Sequence, residues 1–354
     1  MTTKRNYGID LLRIVSMLFI VVLHTLTHGG IADAVSGNIN DYPITLLLTI
    51  VWTGVDIFAI ISGFVGVNHR SNHRISEFVF LWFRVAFYSG IITLIGSFLR
   101  VDEVLPFNLM KWFAPISNGS YWYYSSYLFV LLIGPAINNY VKNSNARRVT
   151  LGLLVGLFLL YLSHALTGIF SPALLLYLYF IGCVIGKYQL QERIGNTILK
   201  WTLIVLVLLT WGWKILLGSR GIAGLWLRYD SPTIIGCAAC FVMLFAKIEI
   251  KHIKALSFVT PSVFSVYLLN DHQLIRKLFI TDRFIPYVTY NPMVLLGIIF
   301  GFSVLFFLCA ISIDIVRRKI ESFCKIKQLT IYVEKLIEEV STKICDLAKT
   351  RLKI

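Results

Sequence analysis

The sequence predicts an all-α membrane protein, a bundle of about ten transmembrane helices followed by an amphipathic helical tail. Hydrophobic residues make up 57% of the 354 residues, and Asp, Glu, Lys and Arg together make up only 14%. A soluble domain carries far more charge, about 25% on average. Apolar runs of about 17–25 residues, long enough to cross a bilayer as a helix, recur along the whole chain. They indicate a helical bundle rather than a barrel.

Ten such runs divide the chain into a membrane domain, residues 1–316, and a tail, residues 317–354. No soluble domain interrupts the first region, because the longest predicted loop, residues 100–120, is too short to form one. The predicted spans are residues 9–28, 44–66, 75–99, 121–141, 149–166, 171–187, 199–217, 231–248, 257–275 and 292–315.

The distribution of Lys and Arg predicts the topology. If the N-terminus is cytoplasmic, 23 of these residues lie in inner segments and eight in outer segments, while Arg13 and Arg84 lie within spans. An excess of basic residues on the cytoplasmic side is typical of multi-pass membrane proteins. We therefore expect both termini in the cytoplasm. This asymmetry also explains the net charge of +15 without a nucleic-acid partner, since no basic helix with base-reading residues is present.

The tail, residues 317–354, contains ten basic and five acidic residues. Its apolar residues recur at intervals of three and four, which predicts an amphipathic helix. A basic amphipathic helix favours the anionic inner leaflet, with binding of a protein partner as the alternative.

A polar stripe runs along the first predicted span and consists of Asp10, Arg13, His24 and His28. A helix turns about 100° per residue, so all four side chains project into one sector, and Arg13 and His24 stand roughly 16 Å apart along the axis. Ionisable residues inside a bilayer are costly and normally face the bundle interior or a wet cavity. The stripe therefore predicts a functional path that connects the two sides of the membrane.

Each member of the stripe also has a structural interpretation. Asp10 and Arg13 have the spacing of an ion pair that anchors a helix end, so a supporting role for Asp10 is as well founded as a chemical one. For His24 the sequence favours function, because a buried imidazole is both costly and chemically useful. For His28 it favours a structural place at the membrane interface.

Two further charges, Asp56 and Arg84, fall in the middle of the second and third spans at similar predicted depth. We expect a buried ion pair that joins these spans. The alternative is that Asp56 orients His24 by a hydrogen bond.

Several segments together resemble the acyltransferase-3 family of membrane acyltransferases. The first is D-L-L-R-I-V-x-M-L-x-I-V-V-L-H, in which ten residues separate Arg13 from His24. The others follow in the family's order. They are Gly54–Phe58 with Ser62-Gly63-Phe64, Leu81-Trp82-Phe83 with Phe87-Tyr88-Ser89, Tyr121-Trp122-Tyr123 through Tyr127 with Pro135 and Asn138, and Ser265–Leu269.

The resemblance implies transfer of an acyl group, commonly acetyl, from cytoplasmic acyl-CoA to a sugar of the bacterial cell envelope. It also implies that Arg13 and His24 are the essential catalytic pair and that the enzyme lies in the plasma membrane. Relatives often have a histidine where this chain has Asn270, and here His272 follows two residues later. Attack on the thioester of acyl-CoA creates a negatively charged oxygen, an oxyanion. Asn270 or a tyrosine hydroxyl is a candidate for stabilising it.

Further side chains are candidates for binding the two substrates. The phosphates of acyl-CoA need cationic partners, and Arg70 and Arg74 in an inner loop can supply them, although such residues also serve as topological anchors. The acceptor sugar is expected near two groups of residues at the outer face. One group is Tyr121, Trp122 and Tyr123, and the other is Asp271, His272 and Arg276.

The predicted reaction needs acetyl-CoA as donor substrate and no tightly bound cofactor. We predict no metal site, because the Cys237-x-x-Cys240 spacing lies within a span and suits helix packing. The expected partners are acyl-CoA, an envelope polysaccharide or lipid-linked sugar, and the lipid bilayer, and a homodimer is compatible with the sequence. The main alternative is a transporter or flippase for a lipid-linked sugar. A polysaccharide polymerase or a non-catalytic scaffold suits the sequence less well.

Overall fold

A computed structural model of the chain describes residues 5–68, 74–99, 121–167, 171–217, 227–251 and 253–352. Within this part of the chain the regular structure is helical. The first eight helices are α1 (Tyr7–Thr27), α2 (Ile31–Ala34), α3 (Asp41–Val51), α4 (Gly54–Gly66), α5 (Arg74–Phe98), α6 (Trp122–Asn143), α7 (Ala146–Thr167) and α8 (Ser171–Tyr188). The remaining helices are α9 (Leu190–Arg193), α10 (Asn196–Leu217), α11 (Pro232–Ala246), α12 (Lys254–Val259), α13 (Val263–Asn270), α14 (Gln273–Phe279), α15 (Pro292–Phe323) and α16 (Ile326–Leu352).

The predicted all-α membrane bundle is confirmed. Six helical segments in the described residues are long and apolar enough to cross a membrane, and two shorter apolar helices accompany them. The six are Tyr7–Thr27, Asp41–Gly66, Ile75–Phe98, Ala146–Leu166, Asn196–Leu217 and Pro292–Phe323, and the shorter two are Pro172–Tyr188 and Pro232–Ala246.

The ninth predicted span, residues 257–275, is wrong as one continuous helix. It is built from α12, a 3₁₀ turn at Thr260–Ser262, α13 and, beyond a break at Asp271, α14. Pro261 lies in the turn and has no backbone N–H to continue a helix. At the break, Nδ1 of His272 accepts a hydrogen bond from the N–H of Leu274 at 3.2 Å, which starts α14 afresh. Irregular backbone at membrane depth is tolerated where it is buried in protein or lines a cavity.

Helix α1 lies at the centre of the bundle. It packs against α3, α4, α11, α13 and α15, which come from all parts of the membrane domain. Leu12, Val21 and Leu26 of α1 are fully buried by these neighbours. The polar stripe on the same helix therefore faces protein on several sides, as intramembrane polar groups require.

Helices α4 and α8 make the most extensive helix–helix contact, and glycines allow their backbones to approach closely. A Cβ atom placed on Gly63 would lie 1.9 Å from the carbonyl oxygen of Tyr179, and one on Gly182 would lie 2.0 Å from that of Ile60. Small residues serve this purpose at many helix interfaces in membranes.

The helix of the tenth span continues past residue 316 to Phe323, so the turn into the tail lies at Cys324 and Lys325. The tail forms the expected helix, α16, which packs against α5. A carboxylate oxygen of Glu334 accepts a hydrogen bond from the N–H of Ile75 at 3.0 Å, in the first turn of α5. One face of the tail helix is therefore attached to the membrane domain.

We expect Gly182→Ala to lower the melting temperature of the detergent-solubilised protein, because the added methyl group would force α4 and α8 apart. Overpacking of this kind costs about 1–3 kcal/mol. Gly212→Ala on α10 is the matched control, since no atom lies within 4 Å of a Cβ at that position. Equal melting temperatures for the two variants would contradict the close contact of α4 and α8.

Candidate active site

A narrow cavity lies beside α1. Met17, Ile20 and His24, spaced three and four residues apart, present one face of the helix to it. The rest of its wall comes from four other parts of the chain, and consists of Val55, Phe58, Trp122, Tyr123, Tyr229, Phe264 and Tyr267. The predicted catalytic histidine thus faces an enclosed space rather than lipid.

The imidazole of His24 has a free nitrogen. Its Nδ1 atom is buried and has no hydrogen-bond partner among the described residues. The side chain of Asn270, the last residue of α13, lies beside the ring and is fully buried. Neither the amide oxygen nor the amide nitrogen of Asn270 makes a hydrogen bond of good geometry. The polar atoms of both residues are therefore available to a bound molecule.

Two tyrosine hydroxyls in the cavity wall also make no hydrogen bond of good geometry among the described residues. Tyr123 and Tyr267 are buried, their rings meet edge to face at 5.9 Å, and the hydroxyl of Tyr267 lies near the carboxylate of Asp271. Leaving one buried polar group unsatisfied costs about 1–3 kcal/mol, so a folded protein rarely leaves several at one place without a reason. Their convergence with His24 and Asn270 marks the cavity as a binding site for a polar ligand.

Arg13 lies at the opposite end of the stripe from His24. Its Nη1 donates to Oδ1 of Asp10 at 2.8 Å, and Nε of Arg5 donates to Oδ2 of the same carboxylate at 2.5 Å. This geometry confirms the ion pair at the helix end and leaves Asp10 as the residue that holds Arg13. The arginine is about one-third exposed, so part of its guanidinium is accessible.

Tyrosines connect the surroundings of Arg13 with the cavity. Tyr127 lies within electrostatic range of Arg13, and its ring stacks on Tyr123 with centroids 6.1 Å apart and planes 12° from parallel. Tyr123 in turn lines the cavity that contains His24. Arg13 and His24 are thus linked through a row of side chains, although they do not touch.

At the His24 end of α1, three further side chains form a polar cluster. Nη1 of Arg276 lies 3.3 Å from Oδ1 of Asp271 and 3.3 Å from Nε2 of His28. The rings of His28 and His24 meet edge to face, with centroids 5.1 Å apart. The structure thus brings two of the predicted acceptor residues, Asp271 and Arg276, close to the predicted catalytic histidine.

The other predicted acceptor residues divide into two groups. Trp122 and Tyr123 line the cavity. Tyr121 is buried and donates through its hydroxyl to the carbonyl oxygen of Leu268 at 3.1 Å, and His272 begins α14. The contacts of Tyr121 and His272 are therefore those of structural residues.

The predicted ion pair between Asp56 and Arg84 is wrong. Arg84 lies in the field of Asp314, Arg317 and Glu321 on α15, and its guanidinium stacks over a phenylalanine ring. Counting residues from the helix ends placed Asp56 and Arg84 at the same depth in the membrane. It did not reveal that the two side chains face different neighbours.

Asp56 is fully buried, and neither carboxylate oxygen has a hydrogen-bond partner within the described residues. The alternative prediction, a bond from Asp56 to His24, is not formed either. Its carboxylate instead acts electrostatically on Tyr123 and Tyr229 of the cavity wall. A buried carboxylate without a partner is a further functional candidate next to the cavity.

Tyr229 was not identified from the sequence. It precedes α11 and stacks at a tilt between Trp52 and Trp122, with ring centroids 5.4 and 5.7 Å away. Burial raises the pKa of Tyr229, and the carboxylates of Asp56 and Asp271 act in the same direction. The phenol therefore stays a neutral hydroxyl at physiological pH, in an aromatic wall suited to a sugar face.

Sequence patterns gave no signal for Tyr229, and they placed His28 in the polar stripe without revealing its contact with Arg276, because these contacts come from residues far away in the chain. Arg276 is 248 residues from His28. Of the two predicted acyl-CoA ligands, Arg70 lies outside the described residues. Arg74 is the first residue of α5, and its side chain is not among the parts that the structure describes.

The fold and the cavity together define a multi-pass membrane protein with a buried histidine site. A model of the acyltransferase-3 family, described as an acyltransferase domain, matches residues 6–314. Because the match covers most of the chain, the protein belongs to this family and is a membrane acyltransferase. No curated protein and no solved structure gave a match.

We expect Asp56→Asn to raise the melting temperature of the purified protein while lowering its acyltransferase activity. The substitution removes a buried carboxyl group that has no partner among the described residues, and burying an ionisable group without a partner costs folding free energy. Residues kept at the expense of stability are typical of functional sites.

Asp314→Asn is the matched control for this measurement. Asp314 is equally buried, but it accepts hydrogen bonds from Tyr88 at 2.7 Å and from Arg317 at 2.6 Å. Breaking a buried pair costs about 3–5 kcal/mol, so this variant should melt at a lower temperature. A similar loss of stability in both variants would mean that Asp56 has a structural partner.

Proposed function

We propose that the protein is an O-acyltransferase of the bacterial plasma membrane, which transfers an acetyl group from cytoplasmic acetyl-CoA to a hydroxyl of an exported polysaccharide. The observation that carries this proposal is the cavity lined by His24, Tyr123 and Tyr267, with Asn270 beside the imidazole. There Nδ1 of His24, the hydroxyl of Tyr123 and the amide of Asn270 have no hydrogen bond of good geometry among the described residues. The family membership supports acyl transfer, and the buried position of the site supports a reaction protected from water.

The donor enters from the Arg13 end of α1. Arg13 is fixed by Asp10 yet partly accessible, and a guanidinium is well suited to phosphate groups of coenzyme A. Met17 and Ile20 then line the way to His24 with apolar surface. This wall suits the thin pantetheine arm of the donor better than its charged nucleotide.

His24 acts as general base on the acceptor. It takes the proton from the acceptor hydroxyl while the hydroxyl oxygen attacks the carbonyl carbon of the thioester. The tetrahedral intermediate collapses with cleavage of the C–S bond, and the proton passes from His24 to the sulfur of coenzyme A. The products are the ester and the free thiol, and no other reactant is needed.

The intermediate carries a negative charge on the former carbonyl oxygen. The amide of Asn270 beside His24 and the hydroxyl of Tyr123 in the same cavity are donors without a hydrogen bond of good geometry among the described residues, and the hydroxyl of Tyr267 is a third donor near Asp271. Preorganised donors in a site that excludes water stabilise such an oxyanion strongly, and one of them is commonly worth about 10²–10³ in kcat.

A two-step route through an acyl-imidazole on His24 uses the same residues. His24 would attack the thioester first, release coenzyme A as the thiol, and then pass the acyl group to the hydroxyl. This route suits a donor and an acceptor that reach the histidine from opposite ends of α1.

The acceptor enters from the Arg276 end of α1. Trp122 and Tyr229 supply aromatic faces in the cavity wall, and Asp271 and Arg276 supply polar groups near His24 and His28. Such a combination of flat apolar faces and charged hydrogen-bonding groups suits a sugar ring.

The test is the ester content of surface polysaccharide, measured by NMR in cells with the intact gene, with a deletion, and with His24→Ala. We expect the acetyl ester to vanish in both altered strains while the polymer is still exported, because the transfer lacks its base. Thr27→Ala is the control, since Thr27 lies on the same helix and bonds only to a backbone carbonyl in the described structure.

The same measurement separates the enzyme from a transporter. If the deletion keeps the polymer inside the cell and leaves the ester content per sugar unchanged, the protein moves its substrate without modifying it. That result would overturn the proposed reaction.

A further inference from the structure

His28 occupies the turn after the end of α1, directly beyond His24. Its backbone N–H bonds the carbonyl oxygen of His24. Its own carbonyl oxygen accepts from the N–H of Asp282 at 3.0 Å, and that of Gly29 accepts from Phe284 at 3.2 Å. The backbone at His28 is therefore attached to a distant loop, and the edge-to-face contact with His24 is held at a fixed place.

Arg276 determines the proton arrangement of His28. A guanidinium only donates hydrogen bonds, so Nε2 of His28, at 3.3 Å from Nη1 of Arg276, must be the accepting nitrogen. The neutral ring then carries its proton on Nδ1. Asp271 accepts from the same nitrogen of Arg276 at 3.3 Å and limits its movement.

These contacts form a chain from Asp271 through Arg276 and His28 to His24. The last member needs such support, because Nδ1 of His24 has no hydrogen bond of good geometry among the described residues, and only the side chain of Asn270 approaches the ring otherwise. Catalytic imidazoles are usually oriented by a third group of this kind. In this site no carboxylate bonds directly to His24 among the described residues.

We propose that His28 is a positioning residue for acyl transfer, which holds the imidazole of His24 in its reactive orientation and is itself held by Arg276. This inference rests on the proposed function. It adds to the proposed active site a residue for which the sequence favoured a purely structural role. His28 stays neutral in this arrangement, because protonation of Nε2 would break its bond with Arg276. A neutral neighbour does not repel the imidazolium that His24 becomes during the reaction.

The proposal predicts a specific kinetic effect of His28→Ala. We expect kcat to fall about 10- to 100-fold, since a small misplacement of a catalytic group can cost that much. The KM for acetyl-CoA should change little, because the donor binds at the other end of α1. His28→Gln should recover only part of the lost kcat, since its terminal oxygen can accept the bond from Arg276 but the ring that contacts His24 is missing.

The measurement is release of the coenzyme A thiol from acetyl-CoA by the full-length protein in membrane vesicles, with extracted surface polysaccharide as acceptor. A double-mutant cycle with Arg276→Ala tests the order of the chain. If Arg276 acts through His28, its removal should have little further effect once His28 is alanine. Additive losses in kcat would mean that Arg276 acts independently of His28 and would overturn the coupling, whereas the contact of Arg276 with the acceptor affects the KM for the polysaccharide.

Two controls separate the possible failures. Arg283→Ala removes an exposed arginine from the neighbouring loop and should keep wild-type kinetics. His24→Ala gives the background rate. A wild-type protein no faster than His24→Ala would overturn the proposed function, and this inference with it. A fully active His28→Ala beside an inactive His24→Ala would overturn the role of His28 alone.

Discussion

The structure depends on one constraint, which is that polar groups inside an apolar bundle must be satisfied by protein or by a bound molecule. Helix α1 carries an acid, a guanidinium and an imidazole through the centre of the bundle. At one end the constraint is met within the protein, because Asp10 joins Arg5 and Arg13. Along the cavity it is not met within the described residues, and there the unsatisfied atoms mark the proposed substrate site.

The broken helix opposite α1 follows from the same constraint. A continuous ninth span would have placed its polar residues around all sides of a helix. The break after Asn270 instead turns Asn270 toward His24 and leaves Asp271 and Arg276 able to meet at the end of α1. The irregular backbone is thus located where it lines the site, at the expense of helix continuity.

The helical periodicity of α1 was sufficient to predict the functional stripe, because residues on one helix keep a fixed angular relation. The all-α class and most helix positions also follow from hydropathy. Contacts between helices do not, since hydropathy gives depth but not rotation. For this reason Asp56 and Arg84 were paired incorrectly, and the bond between His28 and Arg276, 248 residues apart, left no local pattern.

In the proposed reaction, donor and acceptor reach His24 from opposite sides of the membrane through one cavity. The most direct test uses sealed proteoliposomes with polysaccharide trapped inside and labelled acetyl-CoA supplied only outside. We expect labelled ester on the trapped polymer with the wild-type protein and none with His24→Ala. Ester that forms only when both substrates are on the same side would contradict this proposal.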